Sequence, residues 1–192
     1  MVKKLTIVLF ALLLFRSSSV GAQGTNEEIP FVPTPVEVID RMLALAEVKQ
    51  GDVVYDLGSG DGRIVIRAAK KYGVHAVGIE MDQLLLEKAR QGAKAEGVSH
   101  LVEFRAEDAL KADISPATVV TLYMLPWFNE AMKPNFKKML KPGARIVAHD
   151  FGIEGWEPDK TEKLPKIEIM AEGRRHQHTI YLWRVKKTGY WR

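Results

Sequence analysis

Asp52-Val53-Val54-Tyr55-Asp56-Leu57-Gly58-Ser59-Gly60-Asp61-Gly62 is the stretch that decides how this chain folds. Its first half, Asp52 to Leu57, is a short apolar run suited to a buried strand. Its second half sets three glycines at alternate positions, which permits a tight turn and a close approach of backbone to a ligand. Gly62 to Tyr72 then carries helical spacing. A Gly-x-Gly-x-Gly alone is weak. Placed between a strand and a helix it gains a mechanism, because the turn then presents backbone at the end of a sheet.

The same alternation continues outward. His75 to Glu80 reads as a second strand and Asp82 to Glu96 as a second helix opened by an Asp cap. Leu101 to Arg105, Thr118 to Tyr123 and Ala144 to His149 are three further strands, with a helix from Pro126 to Leu140 before the last. Upstream, Val36 to Val48 predicts a helix with Val36, Ile39, Leu43 and Ala46 on one face, Pro35 at its start and Thr34 as its cap. Strands alternating with helices predict a three-layer α/β fold, helices on both faces of a parallel sheet. The tail differs. Lys166 to Ala171 and His176 to Val185 are two β runs joined around Glu172-Gly173-Arg174, so the seven-stranded sheet is expected to end in an antiparallel hairpin.

Charge near the turn narrows the ligand. Glu80 closes the second strand, where a carboxylate can accept from both hydroxyls of a ribose. Asp56 and Asp61 add negative charge, which disfavours a pyrophosphate and suits a cofactor with ammonium and sulfonium centres. The Gly-Lys-Ser/Thr ending of a triphosphate loop is absent. A dinucleotide enzyme is the lesser reading. Asp108, after the third strand, is placed to accept from an adenine amine; its plain alternative is a loop cap.

Composition sets the outer limits. The 192 residues suffice for one domain with a core. There is no cysteine, which excludes disulfides, thiolate metal sites and a cysteine nucleophile. Lys3, Lys4 and Arg16 lie in the first 22 residues, which hold no acid; without that segment 25 basic face 24 acidic side chains. Net charge therefore carries no strong nucleic-acid signal. The segment has a basic start, an apolar run from Leu5 to Phe15 and small residues at Val20 and Ala22, the pattern of a signal peptide. The run is too short to span a bilayer, so no transmembrane span is expected in the mature chain. The expected division is 1–22 as a signal peptide, 23–35 as an extended proline-containing linker, and 36–192 as the catalytic domain. Export to a periplasm or the exterior follows if the signal is genuine, and a cytoplasmic or membrane-anchored enzyme otherwise.

Several motifs now carry a resemblance. Asp56 to Gly62 with Glu80 resembles the class I, seven-β-strand S-adenosylmethionine-dependent methyltransferases, a Rossmann-like fold. Phe31-Val32-Pro33-Thr34-Pro35, Val54 to Ile64, Ala76 to Glu80, Asp113 to Thr121, Leu140 to Gly143 and His149-Asp150-Phe151 with Gly155-Trp156 narrow it. This series resembles the archaeal broad-specificity protein lysine methyltransferases and their mitochondrial relatives acting on the c-ring protein of ATP synthase and on an adenine nucleotide translocase. The resemblance implies methyl transfer to a lysine of a protein partner. It implies cofactor contacts at Thr34, Asp56, Gly58, Gly60, Glu80 and Asp108; Ser59, between the two glycines, is a further candidate cofactor-binding residue.

A lysine amine attacks only when neutral, and an apolar aromatic channel lowers its pKa. Tyr123 and Asp150, at the ends of the fourth and fifth strands, are the candidate catalytic residues. Trp127, Phe151 and Trp156 are the candidate channel. Core packing is the competing role for the aromatics. His176 and His178 share one strand face but fall two ligands short of a typical zinc site, so no metal is expected. The Asn/Asp-Pro-Pro-aromatic motif of base methylation is missing after the fourth strand, which reads Leu122-Tyr123-Met124-Leu125. Two other functions remain open: methylation of a small metabolite or envelope lipid, and cofactor binding without turnover.

Overall fold

A computed structural model describes residues 31–169 and 174–187. The expected signal peptide, most of the linker, and Glu172 and Gly173 of the hairpin turn lie outside the described residues. The elements run α1 Val36–Leu45, β1 Val53–Leu57, α2 Arg63–Tyr72, β2 His75–Glu80, α3 Gln83–Ala95, β3 Val102–Ala106, β4 Val119–Leu122, α4 Pro126–Met139, β5 Arg145–His149, β6 Lys160–Ile169 and β7 Arg174–Arg184. The sheet has seven strands in the order β3-β2-β1-β4-β5-β7-β6. The first five pair in parallel, and β7 pairs antiparallel with both β5 and β6. Among the described residues no helix is long and apolar enough to cross a membrane.

Alternation along the strands builds two cores. Tyr55, Leu57, Val120, Leu122 and Ile146 face α4 and its Phe136. Val54, Val119, Val147 and Ile180 face α1 and α2. With both faces covered, the strands need no polar side, which explains their near-continuous apolar runs. Polar residues of the second face gather at the strand ends: Asp56, Thr121 and His149 are all buried there.

Three expectations change in detail. α1 stops at Leu45 rather than Val48, because Glu47 takes a left-handed φ of 52°. Val48 N–H then bonds the Leu43 carbonyl at 3.1 Å and Glu47 N–H the Ala44 carbonyl at 2.9 Å, a Schellman termination. Val36 is exposed, and Val38 and Met42 complete the buried stripe instead. β6 starts at Lys160, six residues earlier than expected. Pro165 interrupts the apolar reading, yet an edge strand tolerates it at the irregularity between Lys163 and Lys166.

Candidate functional site

The strand order reverses between β1 and β4, and a crevice opens beyond the carboxyl ends of strands at such a point. There the structure holds a cavity of about 730 Å³, lined by the glycine turn, the ends of β1, β2 and β4, and Phe31 to Thr34. Gly58, Gly60 and Gly62 all have positive φ. The N–H groups of Gly58 and Ser59 both donate to the Ile79 carbonyl at 2.9 Å, which folds the turn onto β2. A Cβ at Gly58 would lie 2.4 Å from the Met124 sulfur, and one at Gly60 2.5 Å from the Phe31 ring. The turn is thus packed from both sides, and larger residues would displace its walls.

Glu80 stands where the sequence puts it. Its Oε2 accepts the Gly60 N–H at 2.9 Å, and its Oε1 accepts those of Met81 and Asp82 at 2.8 and 3.0 Å. Asp56 is buried, and its Oδ1 accepts the Thr121 hydroxyl at 2.6 Å. Burial pushes its carboxyl up to about 7; the Thr121 bond opposes this, and the charges of Glu80 and Asp61 add to it. Asp61, the other negative charge read from the sequence, lines the cavity but is paired. Arg63 clamps both its oxygens, with Nη2 2.6 Å from Oδ2 and Nε 2.9 Å from Oδ1. The same guanidinium donates to the Thr34 carbonyl at 3.1 Å, tying the segment before α1 to the turn.

Thr34 does not cap α1: Pro35 holds that position with no side-chain cap bond. The Thr34 hydroxyl lies 3.3 Å from His149 Nδ1 instead. Ser59 lines the cavity, and its buried Oγ has no hydrogen-bond partner. Asp108 behaves as the loop cap that was its alternative. Its Oδ1 accepts the Leu110 N–H at 2.9 Å and its Oδ2 pairs with Lys111, while its neighbours Glu107 and Ala109 line the cavity.

Tyr123 lines the cavity and packs against His149, the rings tilted by 34° with 3.9 Å between centroids. Phe151 lies parallel to it at 6.3 Å. Burial, and then the Asp150 carboxylate, push the Tyr123 hydroxyl up to about 12, so it keeps its proton. Burial holds His149 down at about 4, against the pull of Asp150. Trp127 is exposed at the start of α4, edge-on to Phe128. Trp156 is not a channel residue. It is buried against Phe136 in the α4 core, and its carbonyl accepts the Trp183 indole N–H at 3.1 Å. Asp150 does not line the cavity either. Its Oδ1 accepts the Thr179 N–H at 2.8 Å and its Oδ2 faces His178 Nδ1 at 3.1 Å. The expectation of no metal counted two histidines; the fold brings His149 and Asp150 up to them.

Sequence reasoning missed Thr121, Arg63, Glu107 and Asn129. Thr121 was findable, because period-two alternation puts it on the face of Asp56. Asn129 was not: its amide donates to the Phe151 and Gly152 carbonyls at 3.1 Å each, a contact of α4 with a loop far along the chain.

The donor set fits one kind of cofactor. Among the described residues, the cavity is lined by the carboxylates of Asp56 and Glu80, an unpartnered hydroxyl and no free basic side chain. Such a lining accommodates an ammonium and ribose hydroxyls and repels a pyrophosphate. Known proteins point the same way. Residues 56–160 match the ANTKMT methyltransferase domain. A protein-lysine N-methyltransferase of Saccharolobus islandicus is 44% identical over 81% of this chain and 92% of its own. The adenine nucleotide translocase lysine N-methyltransferase of Mus musculus is 31% identical over 76% of this chain, which spans 60% of that protein's length. A crystal structure described as an RNA methyltransferase from Salinibacter ruber, in complex with S-adenosyl-L-homocysteine, is 52% identical, with a TM-score of 0.74 over 81% of this chain and 95% of that one.

Fold and site together define an S-adenosylmethionine-dependent methyltransferase of the seven-stranded class. The chain belongs to the family of the ANTKMT methyltransferase domain, among whose relatives are the protein-lysine N-methyltransferases.

Proposed function

We propose that this enzyme methylates the ε-amino group of lysine in a protein substrate. The similarity to the Saccharolobus islandicus protein-lysine N-methyltransferase, which runs through nearly all of that chain, carries the proposal. When bound, the cofactor would supply an electrophilic methyl group on its sulfonium centre and leave as the neutral thioether, and the amine's surplus proton would pass to solvent. Asp56 would hold the cofactor's ammonium and Glu80 its ribose hydroxyls, with Ser59 and the backbone at Gly58 and Gly60 beside them. Thr34, fixed through Arg63, would close the cavity on its open side.

Tyr123 then forms the wall on the nucleophile's side, with the Phe151 ring stacked behind it at 6.3 Å between centroids. Their rings exclude water, which favours the neutral amine over the ammonium. Positioning and desolvation are the chain's main tasks, because the electrophile comes with the cofactor. Asp150 enters only at a distance, through the field it exerts on Tyr123.

The Salinibacter ruber relative supports a second reading, methylation of RNA. The cavity lining favours lysine: among the described residues Arg63 is its one basic side chain, and it is paired with Asp61. Incubating the full chain with methyl-labelled cofactor and a cell extract, followed by separate protein, RNA and small-molecule fractions, decides between them. The proposal expects acid-stable label recovered as methyllysine. Label confined to RNA or to small molecules would overturn it.

A further inference from the structure

One cluster of ligating side chains takes no part in holding the cofactor. His149, Asp150 and His178 meet where β5 ends beside β7, and none of them lines the cofactor cavity. We propose that these three residues bind a single divalent first-row transition metal ion of the zinc class, with His176 as a fourth ligand on the open side.

The distances carry this. His149 Nε2 and His178 Nδ1 are 2.8 Å apart, and Asp150 Oδ2 lies 3.1 Å from His178 Nδ1 and 3.3 Å from His149 Nε2. Three atoms with those separations share a centre about 1.8 Å from each, so an ion roughly 1 Å off their plane meets all three at the ~2.0–2.2 Å of zinc bonds to nitrogen and oxygen. His176 Nε2 approaches the same carboxylate oxygen at 3.4 Å. Imidazoles and one carboxylate, without thiolate, select zinc, cobalt or nickel over calcium or magnesium.

The surroundings orient the ligands. With His149 Nδ1–H donated to the Thr34 hydroxyl, the Nε2 lone pair points into the cluster. The Thr179 N–H occupies Asp150 Oδ1 and leaves Oδ2 to turn inward. His178 Nε2 is buried with no partner among the described residues, so with an ion on Nδ1 its N–H would lack the outer acceptor that ligating histidines usually have. Asp150 sits at a left-handed φ of 57°, which brings its carboxylate back over the strand end. His149 and His178 are buried, whereas the His176 side chain is half exposed and marks the way in.

An ion there would tie β5 to β7 and, through Thr34, steady the segment that borders the cofactor cavity. The proposal stands apart from the choice of substrate, and its test needs no methyl transfer. The untagged full chain is freed of metal by chelation and titrated with Co²⁺ followed by its visible spectrum, and with Zn²⁺ by calorimetry and thermal melting. One ion per chain, a visible cobalt band, and a melting temperature that rises with metal are expected. His176→Ala, an exposed position, should weaken binding by about tenfold or more while leaving the metal-free melting temperature unchanged. His178→Gln should abolish the cobalt band. Should that buried variant fail to fold, Asp150→Asn replaces it with the same expectation. No stoichiometric uptake at micromolar ion, or binding indifferent to these substitutions, would leave the cluster as an ion-free hydrogen-bond network and overturn the proposal.

Discussion

Asp56 couples protonation to cofactor binding. Its folded pKa of about 7 lies well above the ordinary carboxyl value, with burial as the leading cause. Between the two values the cofactor-free fold holds more protons than the unfolded chain, so its stability falls as pH rises from about 4 to 7. A cationic ligand favours the ionised form. Affinity for S-adenosylhomocysteine, whose ammonium remains, should therefore rise roughly tenfold from pH 6 to 8. Calorimetry across that range checks it, and Asp56→Asn should flatten both profiles. A profile flat in the wild-type protein would remove Asp56 from the ammonium contact. This residue and Glu80 were legible because strand-end carboxylates beside a glycine turn have few structural uses. Asp108 was less so: an Asp two residues before a backbone N–H caps its own loop unless the fold intervenes, and here it does not.

The contact between α4 and the loop after β5 shows what an element adds. Asn129 is fully buried and grips two successive carbonyls, Phe151 and Gly152, beside the Tyr123 wall. Asn129→Ala should destabilise the protein by about 1–3 kcal/mol, because both carbonyls lose a donor. It should also lower kcat more than it raises the cofactor's KM, since the loop carries Phe151, which stacks on the Tyr123 proposed to face the nucleophile. Urea unfolding and steady-state kinetics test the two halves; an unchanged kcat would detach the loop from the aromatic wall. Elements themselves were read well wherever one period dominated, as in β2 and α2. Errors fell where a local device cut the pattern, at the Schellman end of α1 and at Pro165 in β6. Periodicity is blind to a single left-handed residue, and to whether a strand lies at an edge.

At the scale of the whole molecule the sheet has a binding end and an anchoring end. Opposite the cavity, Arg145 pairs with Asp52 in a buried ion pair, and the Thr118 hydroxyl donates to Asp52 at 2.7 Å. This joins the starts of β1, β4 and β5. Arg145→Ala should cost about 3–5 kcal/mol, leaving the Asp52 charge buried without its cation. Affinity for S-adenosylhomocysteine should stay unchanged, because the two ends share no partner. Denaturant midpoints and calorimetry on one preparation would show the separation, and a matching loss of affinity would refute it. The parallel sheet and its antiparallel end were legible from strand and helix alternation; the strand order was not, nor was the anchoring pair, whose members lie 93 residues apart.

Glu80 holds the glycine turn and lines the cavity at once, so its proposed contact with the ribose offers the most direct trial of the site. Titration of wild-type chain and Glu80→Ala with S-adenosylhomocysteine should give saturable one-to-one binding in the first and at least about a tenfold weaker complex in the second, the loss expected from hydrogen bonds to a charged group. A wild-type chain that releases no heat, or an alanine variant that binds as tightly as its parent, would contradict the account.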